Sequence, residues 1–137
     1  MSLPRIVIGK KKCLTSALFV DGHDVKFLRA LFGPKSCFSG RVVRTIPELA
    51  NAALENAKEL SGAVAVVRRG GCTFHEKVRR AQRAGAIAVI VVNTEDSVFG
   101  MGDPNNEAGD ITIPAVMVPS SVGAKLMDGV EVKCVGG

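Results

Sequence analysis

This 137-residue sequence predicts a mixed α/β fold, and three observations carry that reading. Two short apolar runs, Ala63 to Val67 and Ala86 to Val92, are rich in valine and do not alternate polar with apolar residues, as expected of strands buried on both faces. Between them stand a glycine turn and about three turns of amphipathic helix, so strand, helix and strand form one βαβ unit, expected to cross over right-handedly. Around that unit lie further strand-like runs and two more helical stretches. The total is about seven strands and three helices in one domain, without repeats or low-complexity tracts.

Taken in order, Arg5 to Ile8 reads as a strand, Lys10 to Lys12 as an exposed turn and Cys13 to Val20 as a second strand. Asp21-Gly22 is a tight hairpin signal. The chain then returns from His23 to Phe32 with Val25, Phe27 and Leu31 expected inward, until Gly33-Pro34 stops it. Ser36 to Gly40 reads as irregular and Arg41 to Arg44 as a short strand. A helix is predicted from Thr45 to Leu60: Thr45 and Glu48 have capping-box spacing, Pro47 falls in the first turn, and Leu49, Ala53, Ala57 and Leu60 make an apolar stripe. Within the βαβ unit, Thr73 and Glu76 form a second capping box, Phe74, Val78 and Ala81 share one face, and Gly85 occupies the left-handed C′ position.

Beyond Asn93 the pattern changes. Residues 94–110 are broken by glycine, proline and paired asparagine and carry Glu95, Asp96, Asp103, Glu107 and Asp110. Structureless stretches of this length are uncommon in a compact domain and usually functional. Val98, Phe99 and Met101 within it must pack or bind something. Ile111 to Val118 follows as a strand with Pro114 at an edge or bulge, then a short helix to about Met127 and a strand from Val130 to Val135.

Composition narrows the function. The chain is 47% hydrophobic without Trp or Tyr, so six Phe and many aliphatic residues must build the core. No apolar run reaches the ~18 residues of a membrane span, and the N-terminal lysines follow too short an apolar stretch for a signal peptide. A cytosolic chain and a domain taken from a longer secreted or membrane protein both fit, leaving the compartment undefined. The net charge of +5 favours acidic partners but is too mild to imply nucleic acid. Cys13, Cys37, Cys72 and Cys134 are widely spaced with no C-x-x-C, which argues against a paired-ligand zinc site and leaves two disulfides or four thiols open.

Four local signals bear on chemistry. Arg69-Gly70-Gly71-Cys72 before a helix resembles an anion-binding turn, yet it matches neither G-x-G-x-x-G nor a Walker sequence, so no nucleotide cofactor is expected. Cys72 at a helix N-terminus, with His75 three residues on, raises a thiol-dependent hydrolase as the alternative function; a packed or bridged cysteine is the plainer reading. Asp103-x-Asn105-x-Glu107 is calcium-like, but the loop's glycine is misplaced at Gly109 and Pro114 stands where the last ligand belongs, so no metal is expected. Lys77, Arg79, Arg80 and Arg83 read as a solvated basic helix face without the aromatic platforms of single-strand binders.

The run from Ala63 to Asn93 resembles the protease-associated (PA) domain family. The features are an apolar strand, Arg69-Gly70, Cys72 and Phe74, Lys77, Ala84-Gly85-Ala86 and a second apolar strand, with Ile113-Pro114-Ala115 downstream and Pro34 and Cys37 upstream. It covers roughly residues 30 to 128. It implies a compact mixed β-sheet barrel or sandwich with two to three flanking helices, serving as a binding or regulatory module and not a catalyst. By the same resemblance, Arg69, Gly70 and Gly71 would contact a protein or peptide, and Cys37 and Cys72 could be bridged. No catalytic residue is expected. The loop residues Glu95, Phe99, Met101 and Asp103 are expected to complete the contact surface, since loops held by rigid strands commonly carry function.

Overall fold

A computed structural model describes residues 16–136. The elements are β1 (Ala17–Val20), β2 (His23–Val25), β3 (Leu28–Arg29), β4 (Phe38–Arg44), α1 (Ala57–Leu60), β5 (Val64–Arg68), α2 (Phe74–Arg83), β6 (Ala88–Val92), β7 (Ala115–Val118), α3 (Ser120–Gly123) and β8 (Glu131–Val135). The expected strand at Arg5 to Ile8 and the turn after it lie outside the described residues. One eight-stranded sheet runs in the order β2-β1-β8-β4-β5-β6-β7-β3. Its two ends, β2 and β3, are joined by Lys26 and Phe27 alone, so the sheet curls round on itself.

The centre is parallel, as the valine runs require: β4 pairs β5, β5 pairs β6 and β6 pairs β7, all in parallel. Alternate residues feed two cores. Val64, Val66, Ala88, Ile90, Val92, Val116 and Val118 face one, with Leu18, Phe38 and Leu126. Ala65, Val67, Val89, Val91 and Met117 face the other, where α2 contributes Val78 and Ala81. Every residue of β6 and β7 is buried, which explains the absence of polar alternation. The α2 signals hold: the Thr73 hydroxyl accepts the Glu76 amide at 3.3 Å, and Gly85 takes φ +93°. Among the described residues no helix is long and apolar enough to cross a membrane.

Three expectations need correction. The segment from His23 to Phe32 is two short strands on opposite edges of the sheet, and Leu31 is 70% exposed, its amide taken by the Met101 carbonyl. The helix predicted from Thr45 is reduced to the four residues of α1. Thr45 is buried and its hydroxyl bonds the carbonyls of Pro47 and Glu48; Asn56 bonds the Ile46 amide and the Arg44 carbonyl; Ala50 is left-handed at φ 49°. These side-chain bonds compete with helical hydrogen bonding and win. Finally, the strand expected from Ile111 begins only at Ala115, because Pro114 has no amide for the ladder, though its carbonyl accepts the Val89 amide.

Candidate docking site

The turn after β5 is fixed from both sides. The Arg68 amide bonds the Glu48 carbonyl and the Arg69 amide bonds the Val92 carbonyl. Gly70 and Gly71 then take φ +115° and +83°, open only to glycine at low cost. A Cβ at Gly71 would also stand 2.9 Å from Asn51 Nδ2. Beneath the turn Lys77 is fully buried, and its ammonium bonds the carbonyls of Leu49 and Gly70. Burial lowers its pKa, with Cys72 acting in the opposite direction. Lys77 therefore does not belong to a solvated basic face.

Arg69 is pre-organised. Its Nη1 donates to Asn93 Oδ1 at 2.9 Å, and its guanidinium lies 4.9 Å from the Phe99 ring centre. Phe99 in turn meets Phe74 edge-on, with centroids 5.7 Å apart. Asn93 is buried and also binds the Ser97 carbonyl, which ties the turn to the start of the acidic loop. The two segments singled out in the sequence thus meet through Arg69 and Phe99, with Gly70 and Gly71 exposed beside them. Glu95 is exposed on the same loop.

Asp103 and Met101 take structural positions. Asp103 accepts the amides of Glu107 and Ala108, both at 2.9 Å, and its pKa is lowered by those bonds. Met101 is fully buried in the core with Ala108 and Ile111, which corrects its assignment as a contact residue. A methionine in a polar loop signals burial as readily as binding, and here the Leu31 amide pins its carbonyl inward.

What the sequence did not reveal is how the loop is held. His75, Arg79 and Gln82 stand on one face of α2. His75 lies 3.7 Å from Asp103 and 3.5 Å from Glu107 on opposite ring nitrogens; Arg79 makes two bonds to Asp110 and one to the Glu107 carbonyl; Gln82 binds the Asp110 carbonyl and the Thr112 amide. The bond from Arg79 brings the Asp110 pKa down to about 2. A depressed folded-state pKa gives stabilisation that is present above the ordinary carboxylate pKa and lost as pH falls through the folded value. Between pH 4 and pH 2 the amides of residues 103–112 should therefore lose protection before those of β6, in hydrogen exchange corrected for intrinsic rates. Uniform loss across the chain would contradict the strap.

The cysteines also resolve. Cys37, Cys72 and Cys134 form no disulfide among the described residues, and Cys13 lies outside them. Cys37 precedes β4 and Cys72 lies beyond the far end of its parallel neighbour β5, so the seven residues of β4 separate them. That is about 20 Å of strand, against the ~7 Å between Cα atoms that a bridge tolerates. The Cys37–Cys72 disulfide is thus excluded in this fold. Nor are Cys72 and His75 brought together: the thiol lies against the Ala50 carbonyl and Arg80, both at 3.7 Å, while the imidazole faces the acidic loop and Thr73.

Several known proteins resemble this chain over part of their length. The signal peptide peptidase-like 2 protein of Arabidopsis thaliana is 42% identical over 69 residues, 50% of this chain and 13% of that protein. The ER degradation-enhancing alpha-mannosidase-like protein 3 of Homo sapiens is 31% identical over 99 residues, 67% of this chain and 11% of that protein. The chain thus spans only a small part of the length of these relatives. An aminopeptidase from Aneurinibacillus sp. strain AM-1 shares the fold at a TM-score of 0.66 and 21% identity, over 90% of this chain and 31% of that one. A family model described as PA domain matches residues 37–126, and the chain, matched over well over half its length, belongs to that family.

Proposed function

We propose that the chain is a non-catalytic docking module that binds an extended peptide or protein segment, alone or within a longer protein. The observation that carries this reading is the immobilised Arg69, held by Asn93 and Phe99 beside two exposed left-handed glycines. A guanidinium fixed in advance loses little freedom on binding, and beside the exposed backbone of Gly70 and Gly71 it suits a carboxylate, above all the free C-terminus of a peptide. Exposed Glu95 and the rim of Phe99 are the adjoining contacts. The thiol-hydrolase alternative lacks its base, since His75 is engaged by the acidic loop.

The test is selection from random decapeptides displayed with free C-termini. The native chain should recover binders, and Arg69→Ala should weaken them at least about tenfold, as loss of a charge-assisted anchor does. Equal recovery by both chains would refute the docking role of Arg69.

A further inference from the structure

The flank of α2 carries a second feature that the turn does not account for. Between the 53–57 segment and the C-terminal half of α2 lies a hollow of about 370 Å³, lined by Ala53, Leu54, Ala57, Arg80, Arg83 and Ala84. Among the described residues its charged walls are the two arginines, and no carboxylate lines it. Arg80 is fixed, its Nη1 donating to the Ala50 carbonyl at 2.8 Å. Arg83 is exposed and has no hydrogen bond or ion pair among the described residues; the nearby Asp110 is already held by Arg79. The floor is made of small side chains and one leucine, which leaves room for an aliphatic group.

The hollow lies further along the same helix as the proposed docking turn: Arg80 in its wall is 3.7 Å from the Cys72 sulfur, next to Gly71. From Phe74 to Arg83 the helix rises about 14 Å, the span of about four residues of extended peptide. We propose that this flank is the second half of the recognition surface, taking an acidic residue with an aliphatic neighbour roughly four to six positions before the anchored carboxylate. The occupant is an extended acidic peptide segment: opposite charge selects it, and like charge at Arg80 and Arg83 rejects basic segments. This inference rests on the docking reading of the Arg69 turn.

The same decapeptide selection tests it with native, Arg83→Glu and Arg69→Ala chains as baits. Arg83 is exposed, so its replacement should leave the fold intact, which the melting midpoint verifies. Peptides recovered by the native chain should be enriched at least about threefold in Asp or Glu four to six residues before the C-terminus, and the Arg83→Glu bait should lose that enrichment, as expected for a reversed charge at an interface. No acidic enrichment, or enrichment unchanged with Arg83→Glu, overturns the flank even if Arg69→Ala abolishes recovery. An enrichment that needs Arg83 while Arg69→Ala binds normally keeps the flank and overturns the turn as anchor. Recovery of no peptide by the native chain overturns both.

Discussion

Replacing Lys77 with methionine should lower the unfolding free energy by about 1–3 kcal/mol, the usual range for leaving part-buried carbonyls without their donor, less the relief of one desolvated charge. Methionine matches the length and apolar stem of lysine but donates nothing. The carbonyls of Leu49 and Gly70, which the ammonium now joins, would lose their partner, and with them the link between the 45–56 segment and the glycine turn. The lowered pKa of Lys77 reports that its burial already has a cost, so the loss should stop short of that for a fully compensated ion pair. Urea denaturation of the two chains measures it. A neutral or stabilised Lys77→Met variant would mean that desolvation outweighs the two hydrogen bonds, and that the turn is held by its glycines and its backbone bonds to Glu48 and Val92 alone.

Met101→Ala should destabilise by about 2–5 kcal/mol, the range for truncating a large buried side chain when the cavity cannot collapse. Met101 is fully buried among Ala108, Ile111 and the outer face of the sheet, so removing its side chain should unmoor the acidic loop from below. At temperatures where the variant remains folded, peptide affinity should stay within a few-fold of native. A change below about 1 kcal/mol combined with a large loss of binding would return Met101 to the contact surface.

The parts of the fold legible in the sequence are those governed by local chemistry. Valine runs without alternation can only be strands covered on both sides, and Thr73 and Gly85 mark the ends of α2 by capping rules that need no tertiary knowledge. The 45–56 segment misled because its signals are those of a helix, whereas the deciding bonds, Asn56 to Ile46 and Arg44, connect positions ten or more residues apart. The charged face of α2 misled for a related reason. Helical spacing shows that His75, Arg79 and Gln82 share a face but not that an acidic loop lies on it. Lys77 falls on the opposite side of the helix, where periodicity suggests solvent and the structure supplies two carbonyls. In the candidate site, Arg69 and its glycines were legible as a turn and Phe99 as an apolar residue in need of a partner. Their contact was not, because it joins residues thirty apart through Asn93.

The central claim is that Arg69 is held rigid for a ligand and not for the fold. Isothermal titration of a selected peptide into native and Arg69→Ala chains, with melting midpoints recorded on the same samples, tests it most directly. The account predicts at least about tenfold weaker binding with a midpoint nearly unchanged. A steep fall in the midpoint with undiminished affinity in the folded fraction would contradict it, making Arg69 a brace between strand end and loop.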